Sequence, residues 1–342
     1  MDVPGPNVPF PPMEALLVAE LPEGDGWQYE PKWDGFRGVL ENDSGELCLW
    51  SRNGRPLLRY FPELRSLGES LPPHSALDGE IVLERNGQLD FDALQLRLHP
   101  AESRIRRLSA ETPTRFVAFD VLLWKGDPVW KLPLEERRAL LEDLGLAVSP
   151  ATTDAEQAKT WLARLEAIGL DGVIGKRLGL PYLPGSRDGA VKVKKHKTAD
   201  CVVVGVRWKE KPTRLATLLL GLYDKGEVHY VGSCAVATTR HDATLGQIRP
   251  LLKGAPERGF YEPNRWGTGG LEESALRPEL VVEIRYDKVE RRRFRHGTRF
   301  LRFRPDKDPA DCTWAQVRPR RRRGDPTLEG LLQANGAKSS TV

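Results

Sequence analysis

The chain is poor in the features of exported, membrane-bound or metal-clipped proteins. Its four cysteines, Cys48, Cys201, Cys234 and Cys312, lie far apart and form no C-x-x-C pair, so neither a disulfide framework nor a zinc site is indicated, and a reducing cytoplasm fits. No apolar run approaches the ~20 residues needed to cross a bilayer. The Pro-rich stretch Met1–Pro12 has neither a basic n-region nor an apolar h-region, which predicts a soluble protein without an export signal. Six histidines fall in no pattern that would supply a hydrolytic triad. The net charge is also small, at only +4.

The distribution of that charge says more than its size. Between Val281 and Arg304 nine Lys/Arg (Arg285, Lys288, Arg291, Arg292, Arg293, Arg295, Arg299, Arg302, Arg304) stand against three acids, interleaved with Phe294, Phe300 and Phe303. Arg320 to Arg323 forms a second run. Clustered cations among aromatics suit a phosphate backbone, although a solvated basic face has the same composition. At 342 residues and 39% hydrophobic composition the chain can bury two cores.

The pattern predicts an α+β first half with antiparallel sheets. Met13 to Glu20 reads as a short helix. Trp27–Glu41 and Leu47–Arg52 read as strands around the turn cluster Asn42-Asp43-Ser44-Gly45, and a helix follows from Pro62. Leu77–Leu83 and Arg115–Trp124 are strand-like. Pro133 to Gly145 has proline at its start, acids in its first turn and glycine at its end, the signature of a helix. Thr153-Asp154-Ala155-Glu156 reads as a capping box opening a helix that runs to about Gly169. Short strands carrying Asp171–Lys176 and Ala190–Lys194 close this half. From Asp200 on, strands at Cys201–Arg207, Ala216–Tyr223, Val228–Val231 and Leu280–Tyr286, with one helix at Asp242–Leu252, predict a small closed β-barrel of OB type. The expected boundaries are 1–198, 199–312 and a basic flexible tail over 313–342.

Chemistry is concentrated in Tyr29-Glu-Pro-Lys-Trp-Asp-Gly-Phe-Arg-Gly38. Pro31 disfavours helix at Glu30 and Gly35 permits a turn, so Lys32 is expected at a strand end facing a pocket. A lysine is a poor nucleophile while protonated, at a reference pKa near ~10.4, so covalent chemistry requires other cations or desolvation beside it. Alone, a lysine in such a turn is usually solvated. Lys192 and Lys194, separated by Val193, point to one face of a strand and are candidate helpers.

With these segments in order, the chain resembles the ATP-dependent DNA ligases of the covalent nucleotidyltransferase superfamily. It looks most like the stand-alone bacterial C-type enzymes and the ligase domain of the bacterial end-joining protein. The resemblance covers about Pro11 to Asp311 and implies an adenylation domain followed by an OB-fold domain. It implies that Lys32, in Glu30-x-Lys32-x-Asp34-Gly35-x-Arg37, attacks the α-phosphorus of ATP. Glu30 would face the adenine, Arg37 the ribose or the nick phosphate, and Arg52, in Ser51-Arg-Asn-Gly54, a phosphate. Glu80, in Asp78-Gly-Glu80, matches a carboxylate that touches ribose or metal, and Phe119 matches the aromatic that stacks on adenine. Asp171 stands where relatives usually carry glutamate and would bind Mg2+ or Mn2+ with Glu80. Lys192 and Lys194 would neutralise the α-phosphate, although Ala190 replaces the usual tryptophan. Arg304 and Lys307, in Arg304-Pro-Asp-Lys307, would orient the departing pyrophosphate.

The implied reaction is three-step sealing of 5′-phosphate/3′-hydroxyl nicks in DNA repair, by a monomer acting on nicked double-stranded DNA, with a DNA end-binding protein or a repair polymerase as partner. Two alternatives stand beside it. An RNA ligase or a capping-type nucleotidyltransferase also uses a lysine in K-x-D-G, and a non-catalytic nucleic-acid-binding protein would keep only the basic surface.

Overall fold

The computed structural model describes residues 7–142, 144–235, 241–254, 272–290, 292–295, 297–318 and 324–333. The chain divides into two units, Met1–Lys195 with Pro319–Val342, and His196–Arg318.

In chain order the strands of the first unit are β1 (Leu16–Leu17), β2 (Trp27–Pro31), β3 (Phe36–Asp43), β4 (Glu46–Ser51), β5 (Ser75–Arg85), β6 (Gln88–Leu89), β7 (Thr114–Leu123), β8 (Gly172–Arg177) and β9 (Ala190–Lys194). The helix expected over Met13–Glu20 is not formed. Eight residues are too few to hold a helix without tertiary support, and the segment is extended instead, with β1 parallel to β9 and Val18 N–H donating to Lys192 O at 3.0 Å.

Two sheets result. One runs β1-β9-β8-β2; the other runs β4-β3-β5-β6, with β7 also paired to β5. Their registers follow from period-2 alternation. Along β5, Leu77, Ile81 and Leu83 face one core, together with Phe116 and Ala118 of β7 and Leu40 of β3. Val82 and Val117 point the other way, into a second core shared with Tyr29, Val173 and Val193 of the first sheet. Each fully buried aliphatic side chain there contributes roughly 1.5–3 kcal/mol. The same alternation puts Asp78, Glu80 and Phe119 on the face that meets the first sheet.

Helices α1 (Phe91–Gln95), α2 (Glu102–Glu111), α3 (Leu134–Glu142) and α4 (Ala155–Arg164) cover the sheets. The helix expected after the capping box is α4, but its cap is Asp154 rather than Thr153, accepting from Glu156 N–H at 2.8 Å. It ends through a 3-10 turn at Gly169, whose φ of +87° is open to glycine, and a Cβ there would meet Leu89 O at 2.9 Å.

The second unit holds β10 (Lys197–Glu210), β11 (Arg214–Asp224), β12 (Glu227–Ala235), α5 (His241–Ile248), β13 (Leu252–Gly254), β14 (Glu272–Leu276), β15 (Val281–Tyr286), β16 (Lys288–Glu290), β17 (Arg293–Arg295) and β18 (Thr298–Phe303). The expected small closed barrel of OB type is corrected here. The strands form a seven-stranded mixed sheet, β11-β12-β18-β15-β10-β14-β13, that runs out to an edge at β13 rather than closing into a small barrel; β12 and β18 pair in parallel. The cause is β10, which at 14 residues is twice the expected length. Its first half carries β15 and its second half β14, while β11 pairs along the opposite side. Cys201, Cys234 and Cys312 are buried in this unit's core as free thiols.

After the second unit the chain returns to the first. In α6 (Leu328–Gln333), Leu328 and Leu331 are buried against the core that holds Tyr29 and Trp161, and Glu329 pairs with Arg115 at 2.8 Å. The basic run Arg320–Arg323 expected in the tail lies outside the described residues.

Candidate active site

Lys32 follows the last residue of β2, where Pro31 pairs with Val173, and its N–H donates to Gly172 O at 2.9 Å. On the other side of β8, Gly172 pairs with Lys194 and Ile174 with Lys192. Lys32 and the distant pair Lys192 and Lys194 thus meet around Asp171, the residue just before β8. Its carboxylate takes Lys32 Nζ on one oxygen at 2.7 Å and Lys194 Nζ on the other at 3.1 Å. Burial works against its charge, but Lys32 and Lys194 outweigh burial and hold Asp171 below the usual carboxylate range. Lys192 is pulled below the usual lysine range by partial burial and then by the like charges of Lys32 and Lys194.

The β3–β5 register places Arg37 directly opposite Glu80. Gly35 N–H donates to Glu80 Oε1 at 3.0 Å. Only glycine fits at 35, because a Cβ would lie 2.0 Å from Ile81 O. Burial pushes Glu80 up to about 8; Lys32 and Arg37 pull against this, and Asp34 adds to it. Arg37 grips Asp78, with Nε to Oδ1 at 2.9 Å, while Tyr182 donates its hydroxyl hydrogen to Asp78 Oδ2 at 2.6 Å. The guanidinium stands 5.3 Å from the centre of the Phe119 ring.

Glu30 is 2% exposed, and its Oε1 accepts from Gln28 Nε2 and from Lys176 Nζ, both at 2.9 Å. Lys176 also donates to Phe119 O at 2.7 Å. Beside it Arg137 is bidentate to Asp120 at 2.7 and 3.2 Å; burial would raise Asp120, but Lys176 and then Arg137 keep it below its usual range. Arg52 is exposed, in the turn after β4, and with Lys192 it contributes to the lowered value of Glu14, which is due first to its bond with Arg187 (2.7 Å).

The expected residues Glu30, Lys32, Arg37, Glu80, Phe119, Asp171, Lys192 and Lys194 therefore lie together in the first unit, whereas Arg52 is exposed in the turn after β4. Arg304 and Lys307 belong to the second unit and are held by local carboxylates. Arg304 binds Asp200 at 2.9 Å and Asp306 at 2.9 Å, and Lys307 lies 3.6 Å from Asp311. Bonding to Arg304 drops Asp306 to about 2. Sequence reasoning missed Asp78, Tyr182, Lys176 and the Asp120–Arg137 pair. Only the pairing of β2 with β8, which sets Lys176 across from Gln28, could have revealed Lys176.

Among the described residues no three His, Cys, Asp or Glu side chains cluster as a metal cage. Of the two expected donors, Asp171 has both oxygens on ammonium groups and Glu80 accepts from Gly35 N–H at Oε1, so a magnesium-type ion here would be completed by waters and phosphate oxygens rather than by a protein cage. No helix among the described residues is long and apolar enough to cross a membrane.

The chain is similar to known proteins along its length. Residues 14–194 match the ATP dependent DNA ligase domain and residues 211–307 the ATP dependent DNA ligase C terminal region. The chain is 44% identical over 338 residues to DNA ligase C2 of Mycolicibacterium smegmatis, covering 90% of this chain and 94% of that protein. It is 32% identical over 353 residues to the multifunctional non-homologous end joining protein LigD of Pseudomonas aeruginosa, covering 98% of this chain and 40% of that protein. A solved Lig E DNA ligase shares the fold at a TM-score of 0.52 and 17% identity, over 85% of this chain and all of that one.

Proposed function

Since the chain belongs to the ATP-dependent DNA ligase family, we propose that it seals 5′-phosphate/3′-hydroxyl nicks in double-stranded DNA through an AMP carried on Lys32. The observation that carries this reading is the Asp171 carboxylate held between the ammonium groups of Lys32 and Lys194. Such a pair holds Lys32 in place. The triphosphate then engages Lys192 and Lys194, and the Lys32 ammonium passes a proton to bulk water so that its amine can attack.

In that step the Lys32 nitrogen bonds to the α-phosphorus and the bond to the pyrophosphate oxygen breaks. Phosphoryl transfer of this kind asks for alignment and charge neutralisation more than for acid–base help. Lys192 and Lys194 supply positive charge at the α-phosphate, Arg304 and Lys307 at the leaving pyrophosphate, and Phe119 a face for the adenine. Glu80 and Asp171 would hold Mg2+ or Mn2+, whose contribution is further charge neutralisation on the phosphates. AMP then passes to the 5′-phosphate of the nick, and the 3′-hydroxyl displaces it. Arg37 and Arg52 would meet that phosphate. A cytoplasmic setting in DNA repair, action as a monomer, and cooperation with an end-binding protein or repair polymerase complete the proposal; four free thiols suit a reducing compartment.

The test is incubation with ATP labelled in the α-phosphate. Wild type should become labelled and Lys32→Ala should not; a Lys32→Ala adduct of normal yield removes the assignment. Substituting GTP separates a capping-type activity, and nicks with RNA on either side separate an RNA ligase.

A further inference from the structure

Tyr182 lies outside every motif used above, yet it is 1% exposed and its hydroxyl is fully occupied. The hydroxyl hydrogen goes to Asp78 Oδ2 at 2.6 Å, and the oxygen accepts from Met13 N–H at 2.8 Å and from Arg37 Nη2 at 3.3 Å. One donor and two lone pairs are all that a hydroxyl has. The rest of the residue is fixed as firmly. Its N–H donates to Trp130 O at 2.8 Å, the Arg137 guanidinium stands 5.9 Å from the centre of its ring, and the ring packs in a small core with Val8, Met13 and Trp50. Asp78, wholly buried, thus receives Arg37 Nε on Oδ1 and both Arg37 Nη2 and Tyr182 on Oδ2. Among the described residues no hydrogen bond engages the third guanidinium nitrogen, Nη1, and the Arg37 side chain is 22% exposed.

We propose that Tyr182 is a positioning residue for nick sealing, which holds Asp78 still and so aims Nη1 of Arg37 at the 5′-phosphate of the nick. The inference rests on the reading that Arg37 meets that phosphate. Two parallel bonds from a guanidinium to a carboxylate fix the plane of the fork, but only as well as the carboxylate itself is fixed. Tyr182 supplies that anchor. With phenylalanine in its place Asp78 Oδ2 loses a bond and the Met13 N–H loses its acceptor, so the carboxylate and the arginine on it gain freedom to turn. In this reading Nη1 is used after AMP is on Lys32, not before, so the loss falls on the later steps. The stretch ahead of β1 thereby takes part in sealing. Met13 holds the hydroxyl through its N–H, and its Sδ accepts from Leu183 N–H at 3.4 Å, so it clasps the residue after Tyr182 as well.

The experiment times the steps separately for the full chain as wild type, Tyr182→Phe, Arg37→Ala and the double variant, with thermal melting of each. Labelled adduct formation with ATP is measured first. Protein already charged with AMP is then mixed, without ATP, with a 5′-phosphorylated nicked duplex, and sealing is followed in a single turnover. Tyr182→Phe should slow sealing about tenfold and adduct formation by about threefold at most, whereas a role confined to the fold would lower both together. In the Arg37→Ala background the same substitution should cost about twofold or less, because the two residues act through one chain of bonds. Sealing by folded Tyr182→Phe within about twofold of wild type, or a full tenfold loss on top of Arg37→Ala, overturns the proposal. If Tyr182→Phe does not fold, Asp78→Asn interrupts the same chain at its next link, and an unchanged ratio of sealing to adduct formation overturns the proposal. An Arg37→Ala protein that seals at the wild-type rate sinks the underlying reading instead.

Discussion

The cations around Asp120 and Asp171 in the first unit and those around Arg304 in the second are held in different ways, although the second unit also buries Arg207 on Glu273. In the first unit Arg137 and Asp120 are 2% and 1% exposed, and Asp171, 13% exposed, is shared by two lysines. In the second unit Arg304 shares itself between Asp200 and a 60% exposed Asp306, and Arg302 and Arg292 bind Glu283 and Asp224 at the surface. Removing one partner of a buried pair leaves an uncompensated charge, at about 3–5 kcal/mol, whereas an exposed pair is worth ~0–1 kcal/mol. The first set is committed to one geometry. The second can exchange a carboxylate for a phosphate at little cost, which is what a surface that must take up and release DNA requires.

The sharpest way to break this contrast is Arg137→Ala. It should cost about 3–5 kcal/mol of stability in urea unfolding, and a loss below about 1 kcal/mol would erase the distinction. Next comes Asp171→Asn, which leaves Lys32 and Lys194 facing each other without their shared anion. Adduct formation should fall about 100-fold, equivalent to about 2.7 kcal/mol of barrier; a rate within threefold of wild type, at ~0.65 kcal/mol, would make Asp171 a bystander.

A third prediction uses pH. The folded state holds Glu80 at about 8 against an ordinary 4.5, so it binds that proton more tightly than the unfolded chain does. The stability tied to this proton is fully present below 4.5 and is lost as pH rises through 8. Without nucleotide or metal, Glu80→Gln should therefore gain in melting temperature relative to wild type from about pH 5 to about pH 8; a pH-independent difference counts against it. The smallest effect belongs to Arg304→Ala, with a stability change within about 1 kcal/mol despite a slower first step. A large loss of stability there would show that its pairs are structural after all.

What the sequence made legible, and what it hid, divides along the same physical line. Lys32, Asp171, Lys192 and Lys194 could be read because each sits in a short local motif beside a strand whose alternation is visible, and the strand registers then bring them together. The Asp120–Arg137 pair and Lys176 could not, since their partners lie 17 to 146 residues away and become neighbours only when α3 packs on β7 and β2 pairs with β8. The second unit misled for a related reason. Beyond Arg207, β10 continues through Trp208-Lys209-Glu210, where charged residues mask its continuation, so its pairing with β14 and the sheet's run to an open edge stayed hidden. The capping box was misplaced by one residue because Thr153 and Asp154 are both good caps. Leu328 and Leu331 sit in too short an apolar pattern, after a basic run, to signal that they pack into the first unit's core.

The central claim is that one amine, at Lys32, takes up the nucleotide. Its most direct test is to isolate the labelled protein, digest it and locate the AMP by mass spectrometry. The modification should be on the peptide containing Lys32, in acid-labile phosphoramidate linkage; AMP carried instead on Lys192, Lys194 or Lys176 would contradict the account.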